Sequence, residues 1–209
     1  FERADMGEQA KVLFDDATPI LKRIIDEKLF GCRAVVGLWP ANSIGDDVEV
    51  YETEQRDSPL ATFHFLRRQQ KIISQEVQYC LSDYVAPKDS GIGDYLGAFA
   101  VTSGFEVDVL AKTFEDEGDD YSSIIVKALG DRFAEAMAEY AHRKVREWWG
   151  FGIDENLSNE ERIEERYQGI RPASGYPSQP DHTEKDVIWE LLQVENNIGI
   201  QLTESRAMN

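Results

Sequence analysis

The stretch from Tyr121 to Trp149 limits the fold more than any other part of the chain. Ile124, Ile125, Leu129, Phe133, Met137 and Tyr140 recur there at helical spacing. Asp119 or Asp120 stands where an N-cap belongs. The result is one long helix with its apolar residues on one stripe. A shorter helix, Glu106 to Glu115, precedes it.

Upstream, Val12, Leu13, Leu21, Ile24, Ile25 and Leu29 follow the same period over Glu8 to Phe30, with Pro19 predicted to kink or restart that helix. The pattern then changes. Ala34 to Trp39 (AVVGLW) reads as a buried strand, PANSIGDD as a loop, and VEVYE alternates with period two, giving a strand–loop–strand unit expected to be antiparallel. LATFHFLRR offers a third strand. Tyr95 to Gly104 offers a fourth, whose small residues permit close packing against a helix or a ligand. Near the end, NLSNEERIEERY predicts a short helix with Ser158 and Glu161 in capping-box spacing. HTEKDVIWELLQVENNIG predicts a helix capped by Thr183 and ended by Gly199, followed by a last strand at IQLTES. Strands mixed with long helices and at least one hairpin indicate an α+β domain around a mainly antiparallel sheet.

The charge balance narrows the partners. Across 209 residues, 22 Lys and Arg stand against 40 Asp and Glu, a net −18. Such a surface repels nucleic-acid backbones and anionic membranes, and no apolar run reaches the roughly 20 residues of a membrane span. Cys32 and Cys80, far apart in sequence, read as small buried hydrophobes in a reducing, cytoplasmic setting. The chain starts without Met or a signal pattern and is expected to be a piece of a longer protein.

Few residues announce chemistry. His64 sits in a strand pattern, His142 on a helix beside Arg143 and His182 just before a helix; none has a His or Cys at metal-ligand spacing. There is no P-loop, GxSxG or GxGxxG, and SGIGD (Ser90 to Asp94) reads as a turn before a strand, which disfavours a Rossmann-type enzyme. The acidic run EDEGDDY lacks EF-hand spacing and reads as a solvated connection. RPASGYP, Arg171 to Pro177, is different. Two prolines limit the entropy lost on ordering, Gly175 permits unusual backbone geometry, Arg171 presents a planar fork suited to a carboxylate, and Tyr176 offers a face for a cation or flat ring. Composition leaves open both a plain connection and a rigid loop that holds a ligand.

ERYQGIRPASGYPSQPDHTEK with WELLQVENNIGIQLTES resembles the C-terminal activation domain of cobalamin-dependent methionine synthase. So do GLWPANSIGDDVEVY, LATFHFLRRQQ, YCLSDYVAPKDSGIGDYLGAFAVTSG and DDYSSIIVKALGDRFAEAMAEYAHRKVREWWGF, in order along almost the whole chain. The resemblance implies a C-shaped α+β domain over 1–209 that binds S-adenosylmethionine, within a cytoplasmic methyltransferase of methionine biosynthesis. The other domains of that enzyme carry cobalamin and zinc. When the cobalt is oxidised out of the cycle, a flavodoxin or flavoprotein reductase supplies one electron and S-adenosylmethionine the methyl group. The activation domain is then catalytic only together with the cobalamin-binding domain.

Residue by residue, the resemblance assigns Arg171 to the ligand's carboxylate, Ala173 to backbone contacts, and Gly175 and Tyr176 to the pocket. Glu135 and Glu165 match acidic positions near the ligand's ammonium, sulfonium or ribose, and Asp131 matches a position that faces the corrinoid domain. The family also has a ligand-binding aspartate before Phe1 and a run after TES that completes the sheet. RAMN stands here instead, with Arg206 at a usually apolar position. The domain is therefore expected to be incomplete at both ends and, alone, to bind S-adenosylmethionine weakly or not at all. FLRRQQK (Phe65 to Lys71) is the expected docking patch for the electron donor. The alternative is a stand-alone or degenerate activation-like domain that docks a separate corrinoid protein.

Overall fold

The structure is a computed structural model that describes residues 7–69, 77–150 and 152–208. Its elements run α1 (Gly7–Asp26), β1 (Arg33–Ile44), β2 (Asp47–Tyr51), β3 (Pro59–His64), β4 (Asp94–Thr102), α2 (Glu106–Asp116), α3 (Asp120–Trp149), α4 (Asn159–Ile163), α5 (Glu184–Leu192) and α6 (Val194–Ile198). The four strands form one sheet in the order β3-β2-β1-β4, an antiparallel sheet with helices, as α+β reasoning expects. The chain divides into two compact units, residues 1–34 with 101–141, and residues 35–100 with 142–209.

The second unit is built on the hairpin. β1 extends through Pro40 to Ile44, where the sequence pattern predicts a loop. Ala41 pairs with Val50 and Ile44 with Asp47, so the connection shrinks to Gly45 and Asp46. Gly45 has φ +62° and Asp46 does not share the positive φ, the arrangement of a II′ turn. The extra strand length is paid for by Asn42, whose Nδ2 donates to the carbonyls of Ala86 (3.0 Å) and Ile92 (2.8 Å). β2 pairs antiparallel with β3, Val48 opposite Phe63 and Val50 opposite Ala61, with an irregularity at Tyr51. One sheet face therefore gathers Ala41, Val48, Val50 and Phe63, and Val187, Ile188 and Leu191 of α5 pack against it.

A second cluster joins Ala100 of β4 to Leu192, Val194, Ile198 and Ile200. The single helix predicted over 183–199 is here two, because Gln193 adopts the left-handed conformation at φ +46°. Leu192 and Val194, two residues apart, would point to opposite sides of a continuous helix; the break buries both. Gly199 ends α6 in a left-handed cap, as expected. Thr183 does not cap α5 through its side chain; its N–H and hydroxyl both donate to Asp181. IQLTES is not a strand: Leu202 bridges Met208, and Arg206 turns at φ +60°. The small residues of β4 do permit close packing, since a Cβ on Gly97 would lie 2.8 Å from Leu38 and 3.3 Å from the Trp149 ring.

The first unit packs Ile24 of α1 with Leu110 and Ala111 of α2 and Val126 of α3, flanked by Phe30 and Phe133 in an edge contact at 5.2 Å. α1 continues through Pro19. Its predicted apolar stripe is buried only at Ile24, while Val12, Leu13 and Ile25 are exposed. The α3 stripe divides similarly: Ile125 is buried, Leu129 and Phe133 pack with the cluster, and Ile124 is 66% exposed. Asp119 caps α3 by accepting from the Ser122 N–H at 2.9 Å, and the Ser158–Glu161 capping box of α4 is formed. Among the described residues no helix is long and apolar enough to cross a membrane, and no three His, Cys, Asp or Glu cluster as metal ligands.

Candidate functional site

The composition of Arg171–Pro177 becomes two successive reverse turns. The Tyr176 N–H donates to the Ala173 carbonyl at 3.3 Å, with Gly175 at φ +98° in the third position, where a type II turn requires a positive φ. The Gln179 N–H then donates to the Tyr176 carbonyl at 2.9 Å, with Pro177 second in that turn, where its fixed φ is favoured. The Gly175 N–H closes the pair on the Gln179 carbonyl at 2.7 Å. Gln179 is buried beneath the loop, whereas Tyr176 is 64% exposed and Arg171 is half-buried. The loop is thus stiff through its own backbone bonds; the Tyr176 ring is exposed, whereas Nη1 of the Arg171 guanidinium is buried.

Two side chains that sequence reasoning did not single out belong to this loop. Among the described residues Ser174 Oγ is buried and has no hydrogen-bond partner. His182, read as structural or superficial, lies against Gly175, where a Cβ would sit 2.3 Å from its Cε1. Its Nδ1 is 3.1 Å from Lys185 Nζ. An ammonium can only donate, so Nδ1 is the acceptor of this contact. Lys185 Nζ also donates to the Arg206 carbonyl at 3.0 Å, and Arg206 pairs with Asp186 at 2.9 Å. Arg206, expected to mark a departure, is therefore an anchor of the final segment on α5. Neither role carried a sequence signal, because both depend on contacts between separate segments.

The other predicted positions are scattered. Glu165 lies six residues before Arg171, exposed, at φ +58° in the turn that leaves α4. Glu135 lies on α3 in the first unit, exposed and paired with Arg132 at 2.9 Å; Asp131 is exposed on the same helix. The second unit thus holds Arg171, Ala173, Gly175 and Tyr176 in one loop with Glu165 just upstream, while Glu135 belongs to the other unit.

Upstream of the loop, the Arg146 guanidinium pairs with Glu155, donates to the Gln168 carbonyl and covers the Tyr167 ring. The guanidinium beside Glu155 holds its carboxyl below the ordinary range. His142 is buried, stacked on Phe99 and edge-on to Tyr167 at 4.8 Å.

The basic segment FLRRQQK is not an open cationic patch at Arg67. That guanidinium bonds Asp83 through two nitrogens at 2.7 and 2.8 Å, Asp46 at 2.8 Å and the Gln78 carbonyl at 2.7 Å, and its pKa is raised by those carboxylates. Arg68 is exposed, and Gln70 and Lys71 lie outside the described residues. Both cysteines are free thiols: Cys80 is buried, and burial pushes the Cys32 thiol up.

Comparison with known proteins finds a similar solved structure and a matching family model. The chain is similar to the crystal structure of the MetH reactivation domain bound to AdoHcy, with 54% identity and a TM-score of 0.91. The match covers 99% of this chain and 64% of that one, so the chain spans a little under two thirds of its length. The family model described as the vitamin B12 dependent methionine synthase activation domain matches residues 1–209. With that match running end to end, the chain belongs to the activation-domain family of vitamin B12 dependent methionine synthase.

Proposed function

We propose that the Arg171–Pro177 loop holds S-adenosylmethionine and that the chain works as the reductive reactivation module of a cobalamin-dependent methionine synthase. The observation that carries this reading is the stiff double-turn loop, closed by its own backbone hydrogen bonds, in a chain of the activation-domain family. The 54% identical MetH reactivation domain, solved with AdoHcy bound, supports the same ligand class.

Each residue has a role that its chemistry suits. The planar fork of Arg171 takes the ligand's carboxylate, a charge-assisted contact of about 1.5–3 kcal/mol. Backbone groups of Ala173 and Gly175 and the Ser174 hydroxyl meet the ligand's polar edge. The exposed Tyr176 ring gives a face to the flat base or the sulfonium. Glu165, just upstream in the same unit, answers the ammonium or the ribose hydroxyls. When bound, S-adenosylmethionine would supply an electrophilic methyl group on a sulfonium to the corrinoid of the cobalamin-binding domain, with a flavodoxin or flavoprotein reductase as the one-electron donor. The protein's own task is to hold that ligand in one pose, which the loop's internal hydrogen bonds allow at low entropic cost. Two free thiols fit a reducing cytoplasm.

The test uses the full-length enzyme that carries this chain. Arg171→Ala should weaken S-adenosylmethionine binding about 10- to 100-fold, as the loss of one charge-assisted contact implies, and should slow reductive reactivation at subsaturating ligand. Calorimetric affinity equal to the unsubstituted enzyme's would overturn the reading.

A further inference from the structure

Gln168, three residues before Arg171, lies in no helix or strand, yet both halves of its backbone are held. Its carbonyl accepts from Arg146 Nη1 at 2.6 Å, and its N–H donates to Glu155 Oε1 at 3.3 Å. These two side chains are also each other's partners, through Nε at 3.2 Å to Oε2 and through Nη2 to Oε1. The same guanidinium lies 4.7 Å from the Tyr167 ring centroid. Tyr167 is in turn edge-on to the buried His142 ring, one turn before Arg146 on α3. The backbone takes part as well: the Arg146 carbonyl accepts from Gly150 and Gly152, both at 3.0 Å, which closes the turn leading to Glu155.

We infer that Arg146, with Glu155, is the positioning residue of the ligand loop: it clamps the Tyr167–Gly169 segment and so sets the direction from which Arg171 reaches the ligand. This inference rests on the proposed S-adenosylmethionine site. Its physical basis is the guanidinium fork. Nε and Nη2 meet one carboxylate in parallel, Nη1 remains for the Gln168 carbonyl, and the flat face stacks on the ring. A lysine supplies one point charge and none of this geometry. With its side chain 11% exposed, Arg146 is shielded from water's competition for those donors. Past Gly169, at φ +98°, the chain runs free of regular structure to Arg171, so a loosened Gln168 transmits directly to the Arg171 fork.

The experiment compares Arg146→Lys with Arg171→Ala in the full-length enzyme. Arg146→Lys should raise the S-adenosylmethionine dissociation constant at least tenfold and leave the reactivation rate at saturating ligand within about twofold. In the ligand-free enzyme, amide hydrogen exchange over residues 167–171 should accelerate at least tenfold, with exchange over 188–200 unchanged. A merely structural role would lower the melting temperature without moving the dissociation constant, and that result would overturn the inference. If Arg171→Ala weakens binding and Arg146→Lys does not, the clamp fails while the site stands. If Arg171→Ala also has no effect, the site itself fails. Should Arg146→Lys not fold, Glu155→Gln, which keeps shape and removes the carboxylate, must show the same affinity loss; unchanged affinity there refutes the clamp.

Discussion

Gly175 and His182 are in contact across the loop: the imidazole occupies the place a side chain at 175 would need, with Cε1 2.3 Å from an ideal Cβ. Positive φ and the ring together reserve the position for glycine.

Gly175→Ala should therefore weaken S-adenosylmethionine binding more than it destabilises the fold. The left-handed backbone costs an alanine about 1 kcal/mol, and the exposed His182 ring can move away only by surrendering Lys185. Urea denaturation measures the first effect and calorimetry the second. Adding His182→Ala should restore part of the affinity by removing the clash while leaving the φ penalty; no recovery in the double variant would show that the contact is irrelevant to the loop.

Acid should loosen the approach to Arg171 before it unfolds the chain. Arg146 holds the Glu155 carboxyl below its ordinary value of 4.5. Because the folded value is the lower one, the stability this pair contributes is fully present above pH 4.5 and is lost as pH falls through the folded value. Amide exchange at Gln168 followed from pH 7 downward should rise in that window, and Glu155→Gln should abolish the rise.

Glu184 should behave in the opposite sense. It is 5% exposed at the start of α5, accepts from the His64 N–H at 3.1 Å, and burial pushes its carboxyl above the ordinary 4.5. Its favourable contribution is complete below pH 4.5 and disappears as pH rises through the folded value. Glu184→Gln, which keeps an acceptor for His64, should raise the thermal midpoint at pH 7 and leave it unchanged near pH 4. A lowered midpoint at pH 7 would show that the ionised carboxylate is favoured there.

Gln193 offers a test of the broken helix. Its φ of +46° is strained for a residue with a Cβ and natural for glycine. Gln193→Gly should stabilise the protein by about 0.5–1 kcal/mol, whereas a β-branched Val should destabilise it. Both are read from denaturant midpoints at constant slope.

Elements with a strong local signal were legible: the antiparallel pairing of β1 with β2, α2, the cap of α3 at Asp119 and the capping box at Ser158 are all present, although β1 is longer than its pattern implied. Misreadings occurred where a distant segment decided the outcome. β1 passes through PANSI because Asn42 finds carbonyls 44 and 50 residues away. The last helix breaks at Gln193 because a single core needs both Leu192 and Val194. IQLTES leaves the strand conformation where Arg206 turns to Asp186. In the same way the turn chemistry of RPASGYP was visible from its Pro and Gly, while Ser174, His182 and the Arg146–Glu155 clamp were not.

Periodicity and turn residues, which are properties of neighbours along the chain, made the α+β class and the turn-forming character of the loop legible, and the quoted motifs carried the resemblance to the family. Which groups surround that loop, and how its backbone bonds close, follows from packing. The partners of Gly175, Gln168 and Arg206 lie 7 to 22 residues away, and hydrogen-bond geometry over such separations depends on how the elements pack, which no local pattern encodes.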